Sequence, residues 1–134
     1  MNPVFADTFF YLALLDERNP AHHRALAAAT INRPVVTTEF IVIEIADGCA
    51  RAQDHADFLA LLEGMRNNSR LDIVPLIISS ELMRDGIDFY ARHSDKDWSL
   101  TDCISFVVMR NKGIQEALTA DHNFEQAGFR ILLS

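Results

Sequence analysis

The chain is poor in cysteine, in lysine and in long apolar runs. Its 134 residues include two cysteines, Cys49 and Cys103, without the Cys-x-x-Cys spacing of a zinc or redox motif. Two isolated thiols support no disulfide scaffold, and a reducing cytoplasm is the expected setting. Only two lysines, Lys96 and Lys112, stand among the 12 basic residues, against 19 acidic ones, for a formal charge of −7. That balance argues against loose electrostatic attachment to membranes or nucleic acid. The N-terminal apolar stretch is cut by Asp7, and it lacks the basic start and small-residue cleavage site of a signal peptide. No repeat, low-complexity segment or linker rich in Pro, Gly or Ser is present. One folding unit over residues 1–134 is therefore expected, large enough to bury roughly two-thirds of its unfolded surface. Gly-x-Gly-x-x-Gly, P-loop and Gly-x-Ser-x-Gly motifs are also missing, which leaves nucleotide-fold and serine-hydrolase readings without their signatures.

What the sequence does contain is alternation. "PVFA" (3–6) reads as a buried strand and "TFFYLALL" (8–15) as a helix packed on it. Asn19 and Pro20 form a cap and first-turn signature for a helix through "AHHRALAAA". "PVVTT" (34–38) is a β-branched strand, and "EFIVIEIADGCARA" behind it is apolar nearly all round, which predicts one long, deeply buried helix. Asp54 is positioned to cap "HADFLALLEGMR"; "LDIVPL" then supplies a third strand ending near Pro75, followed by a helix from about Ser80 to His93. "SLTDCISFVVMRNKG" runs from a Ser-x-x-Asp capping box to Gly113, with Arg110 and Lys112 in its last turn as the helix dipole prefers. "EALTA" (116–120) and "FRILL" (129–133) close the pattern as short strands around one turn of helix. This alternation predicts a three-layer α/β/α fold with a central, mostly parallel sheet of four to five strands.

Sites in open parallel sheets form beyond the carboxyl ends of the strands. Asp7 follows the first strand and Asp121 the fourth, Asp102 lies in the first turn of the helix before that strand, and Glu44 lies on the helix after the second. Asp7 and Asp102 read equally well as helix caps, and Asp121, taken singly, reads as the cap of a short helical turn. Glu44 has no capping role, and its neighbours Phe40, Ile41, Val42, Ile43, Ile45 and Ala46 leave it little solvated surface; its bland alternative is an edge carboxylate paired with an arginine. Carboxylates gathered at one point raise one another's pKa unless hard divalent cations neutralise them, and oxygen ligands suit Mg2+ or Mn2+. Two such ions about four ångströms apart can clamp the attacking water and the leaving oxygen of a phosphoryl displacement, so phosphodiester hydrolysis is the natural chemistry.

"VFADTFFYLALLD", "VVTTEFIVIEIAD" and "SLTDCISFVVMRNKGIQEALTADHNFEQAGFRIL" resemble, in order and interval, the PIN-domain nucleases, and among these the single-domain ribonucleases of VapC-type toxin–antitoxin systems. The resemblance implies that Asp7, Glu44, Asp102 and Asp121 are the catalytic ligands of a Mg2+ or Mn2+ site, with Thr8 and Thr101 as supporting hydroxyls. It further implies an RNA substrate, a small antitoxin partner, a homodimer and no membrane association. The acidic balance is unusual for an RNA-cleaving protein. Arg18, His22, His23, Arg24, Arg92, His93 and Lys96 are the side chains available to rim such a site, and each also reads as ordinary surface. Adjacent His22 and His23 do not face one direction on a helix, which argues against zinc. Trp98 can either stack on a base or pack in the core, and packing is the expectation. The remaining alternatives are a PIN-fold ribonuclease of RNA processing and a binding module that keeps the fold without catalysis.

Overall fold

The structure is a computed structural model and describes residues 1–75, 77 and 80–134. Five strands, β1 (Val4–Ala6), β2 (Val35–Thr38), β3 (Leu71–Val74), β4 (Glu116–Leu118) and β5 (Arg130–Ile131), form one sheet in the order β3-β2-β1-β4-β5. Every neighbouring pair is parallel. The expected mostly parallel sheet is thus wholly parallel among the described residues, with β1 at its centre between β2 and β4. Such a sheet is buried on both faces, and Val4, Phe5 and Ala6 are accordingly all buried.

The helices are α1 (Thr8–Leu15), α2 (His22–Ala29), α3 (Glu39–Gly48), α4 (His55–Asn67), α5 (Glu81–Arg92), α6 (Leu100–Lys112) and α7 (His122–Gln126). The most deeply buried is α6, in which every residue from Cys103 to Met109 is buried. The capping box at its start is complete. Asp102 N–H donates to Ser99 Oγ at 3.0 Å, and Ser99 N–H donates to Asp102 Oδ2 at 3.2 Å. At its end Gly113 adopts φ 66°, the left-handed conformation that glycine reaches without a Cβ clash.

Several boundaries differ from the sequence reading. The second helix begins at His22, because the Asn19 side chain accepts from Ala21 N–H at 2.8 Å and closes a local turn ahead of the helix. Asp54 makes no side-chain cap; the chain enters α4 through a 3-10 turn, Ala52–Asp54. The helix after β2 is shorter and less enclosed than its composition predicts. It stops at Gly48, only Ile41 and Ile45 are buried along it, and Ile43 is 50% exposed. Its apolar circumference therefore leaves surface unpartnered within the chain. The closing strands are shorter than predicted, and Leu76, at the end of the third-strand stretch, lies outside the described residues.

Candidate active site

The strand order brings the chain breaks that carry Asp7 and Asp121 side by side. β1 pairs with β4 through Phe5–Ala117 and Ala6–Leu118, and Asp7 N–H donates to Leu118 O at 3.4 Å. On the other side of β1, the last residue of β2, Thr38, caps α3 by accepting from Ile41 N–H, which sets the direction in which Glu44 projects. A cavity of about 650 Å³ opens there, lined by Asp7, Thr8, Phe9, Glu44, Asp47, Ser99, Asp102, Ala120 and Asp121. All four predicted acids and Thr8 lie on its wall. Thr101 does not; Ser99, two residues earlier, contributes the hydroxyl on that side.

Glu44, Asp102 and Asp121 are each held by the protein through one oxygen. Asp7 sits at the N-cap position of α1 but makes no side-chain cap. Its Oδ2 instead accepts the Thr119 hydroxyl at 2.8 Å. Glu44 Oε1 accepts the Thr8 hydroxyl at 2.5 Å, and among the described residues no arginine forms an ion pair with it. Asp102 and Asp121 do serve as caps: Asp102 Oδ2 takes Ser99 N–H, and Asp121 Oδ1 takes Asn123 N–H at 2.9 Å. Capping and ligation are compatible, because a carboxylate has two oxygens. On Glu44, Asp102 and Asp121 the second oxygen carries no hydrogen bond among the described residues.

The electrostatics follow from the placement. Burial pushes Asp7 up to about 7; the Thr119 hydroxyl and the Thr8 backbone N–H hold it back, while Asp102 and Glu44 push it further. Asp102 is also raised, first by burial and then by Asp121 and Glu44, against the Ser99 N–H and the Asn123 amide. These side chains sense one another across the cavity. The opposite end of the sheet shows how this protein treats a carboxylate it means to pair: Glu116 is flanked by Arg33 at 2.8 Å and Arg130 at 3.3 Å. Among the described residues, no Lys, Arg or His lines the acidic cavity.

The donors fit a hard divalent cation: carboxylate oxygens, uncompensated by any base among the described residues, around a space open to solvent. As placed, no three His, Cys, Asp or Glu side chains among the described residues converge closely enough to hold one ion, so ligation requires the free oxygens to draw inward.

A family model described as PIN domain matches residues 4–130. The chain belongs to the PIN-domain family. This PIN domain is 30% identical over 129 residues, 94% of its own length and 95% of the relative's, to the 23S rRNA-specific endonuclease VapC20 of Mycobacterium tuberculosis, strains CDC 1551 / Oshkosh and H37Rv alike. It is similar to the crystal structure of that VapC20, described as a sarcin-ricin loop cleaving toxin, with TM-score 0.83 and 28% identity over 94% of this chain and 95% of that one. A DNA-bound VapBC from Salmonella typhimurium shares the fold, with TM-score 0.67 and 16% identity over 98% and 97% of the two chains.

None of the seven basic or imidazole side chains considered for the rim lines the cavity itself, although Arg18 lines a neighbouring groove that shares Asp47 with it. Arg18 pairs with Asp16, Arg24 donates to Leu133 O, and the Nδ1 atoms of His22 and His93 lie 2.7 Å from the carbonyls of Ala13 and Phe89. Arg92 lies over the Phe89 ring, Lys96 lies 4.0 Å from Asp95, and His23 packs edge-on against His22. Trp98 is buried, as expected, its indole N–H donating to Gln126 Oε1 at 3.1 Å.

Sequence reading missed three contributors. Thr119 is fully buried, and its hydroxyl links two acids by donating to Asp7 and accepting Asp121 N–H at 3.0 Å. Asp47 adds a fifth carboxylate to the wall, and its spacing of three from Glu44 on one helix was a legible signal. Asn123 donates its side-chain amide to Asp102 Oδ2 at 3.3 Å. Nothing in the sequence singles out Thr119 or Asn123 without the pairing of β1 with β4 and the docking of α7.

Proposed function

We propose that this protein is a metal-dependent endoribonuclease that hydrolyses RNA phosphodiester bonds and acts as the toxin of a VapBC-type pair. One observation carries the reading: carboxylates from four separate parts of the chain line a single base-free cavity at the carboxyl edge of the sheet, in a chain similar over nearly its whole length to an rRNA endonuclease. Asp7, Glu44, Asp102 and Asp121 would hold Mg2+ or Mn2+. When bound, such an ion acidifies water and stabilises the charge that develops on the phosphate oxygens.

The chain's own residues supply the positioning. The Thr119 and Thr8 hydroxyls fix one oxygen each of Asp7 and Glu44, so that the other can turn to the cavity without loss of orientation. Asp7, buried and raised, gains most from a cation, since its charge is costly without one. Ser99 and the N-terminal turn of α6 keep Asp102 in place.

A partner surface accompanies the site. An apolar groove of about 390 Å³ between α1, α2 and α4, walled by Phe10, Tyr11, Leu14, Ala28, Leu61 and Met65, is where a small antitoxin would bury an apolar segment. The half-exposed Ile43 of α3, with Ile87 and Tyr90 of α5, offers further apolar surface for a homodimer.

The test is cleavage of an RNA panel by purified protein with Mg2+ or Mn2+. Activity should vanish in EDTA and fall roughly 100-fold or more in Asp102→Asn, with the fold retained by circular dichroism. Cleavage that persists in EDTA, or in Asp102→Asn, removes the metal reading. Expression of the chain should arrest growth, and co-expression of a small protein encoded beside it should relieve the arrest; absence of arrest points to RNA processing instead.

A further inference from the structure

Asn123 touches both caps of the acidic cavity. Its backbone N–H donates to Asp121 Oδ1 at 2.9 Å, while its side-chain Nδ2 donates to Asp102 Oδ2 and to Asp97 O, each at 3.3 Å. One residue thereby bridges two acids that lie 19 positions apart in sequence and arrive on different helices. The Asp102 oxygen it engages is the one already taken by Ser99 N–H, so both donors crowd onto Oδ2 and leave Oδ1 as the oxygen able to turn to the cavity. Three residues on, one helical turn along α7, Gln126 accepts the Trp98 indole N–H. The two α7 side chains together pin residues 97 and 98, the stretch that leads directly into the Ser99 capping box. Trp98 is further held by Phe89, His93 and Phe106, whose rings lie 6.0, 5.1 and 5.2 Å from its own.

We propose that Asn123 is a positioning residue for the cation, selecting which oxygen of Asp102 is presented and fixing its separation from Asp121. The proposal rests on the metal-dependent reading of the site and sharpens it. A neutral amide suits this place because it donates to the ligand without competing for the ion, and partners of this kind outside the ligand set commonly contribute 10–100-fold to metal affinity. The second tether makes the single tryptophan a reporter: a cation that draws Asp102 inward pulls on the segment carrying Trp98, and its emission shifts on loading.

The experiment is titration of the full chain with Mn2+, followed by calorimetry and by Trp98 emission, for the wild type, Asn123→Ala and Asn123→Asp. The isosteric Asn123→Asp keeps the backbone bond to Asp121 and removes the amide donor, and it carries the test should the alanine variant fail to fold. Both variants are expected to bind Mn2+ 10–100-fold more weakly and to lose most of the emission change, with melting in EDTA close to that of the wild type. A variant that melts lower in EDTA yet binds Mn2+ as tightly as the wild type shows a merely structural residue and overturns the proposal. Tighter binding by Asn123→Asp overturns it too, since position 123 would then act as a ligand. Wild-type protein that binds no Mn2+ overturns the metal reading itself, a result distinct from normal binding by all three proteins.

Discussion

Asp7 shows how one side chain can be costly to the fold and necessary to the site. It is 6% exposed, has no cationic partner among the described residues and is raised to about 7, against 3.8 for an unburied aspartate. Between those two values the folded chain retains a proton that the unfolded chain has lost, so the contribution of this group to metal-free stability falls as pH rises from about 4 to about 7 and stays lost above that. The differential amounts to about 4 kcal/mol at most. Asp102, raised in the same direction, adds to the trend. Asp7→Asn keeps an acceptor for the Thr119 hydroxyl while removing the charge. The variant is expected to melt several degrees higher than the wild type at pH 8 in EDTA and nearly level with it at pH 4. Thermal unfolding at the two pH values checks this, and a variant no more stable at pH 8 would show that the charge costs the fold nothing. Mg2+ should restore stability to the wild type and leave the variant almost unaffected.

Among the elements, α5 packs closely against α6, the helix that starts at the capping box. A Cβ built at Gly86 would lie 2.4 Å from Ile104 Cγ1 and 3.5 Å from the Ile104 backbone. Ile104 is fully buried within α6, so a shift of its side chain must displace packed neighbours. Gly86→Ala is therefore expected to destabilise by about 1–3 kcal/mol despite alanine's better helix propensity, through separation of the two helices. Urea denaturation at constant m-value checks it, and a neutral or stabilising result would show that α5 can slide without penalty. The same scale explains which boundaries the sequence predicted well. The α6 limits were legible because a capping box and a left-handed glycine are local devices, complete within a few residues. Asn19 misled because an Asx side chain can close a turn as readily as it can cap a helix, and the choice between the two depends on what the following residues pack against.

Over the whole molecule, the charge distribution decides how a polyanion can approach. The protein carries a formal −7, and its cavity presents five carboxylates with no basic side chain among the described residues on the wall. Phosphate contacts normally supply much of the affinity for nucleic acid, and here they are missing where they would matter most. Binding of single-stranded RNA should therefore be weak in EDTA and tighten about tenfold or more when Ca2+ replaces EDTA, as read by fluorescence anisotropy. Equal affinity in both conditions would mean that RNA is held on a surface away from the acids.

The alternation of strands and helices, the capping box of α6 and the candidacy of Asp7, Glu44, Asp102 and Asp121 were all decided by the sequence, because periodicity, caps and residue chemistry are properties of short segments. The order of the strands, and hence the neighbourhood of Asp7 and Asp121, was decided only by tertiary structure, because parallel strands pair across long connections whose joining leaves no local trace. The same holds for Thr119 and Asn123. An ordinary threonine and an ordinary asparagine acquire their roles only when β4 lies beside β1 and α7 docks against the start of α6, bringing the Thr119 hydroxyl to Asp7 and the Asn123 amide to Asp102.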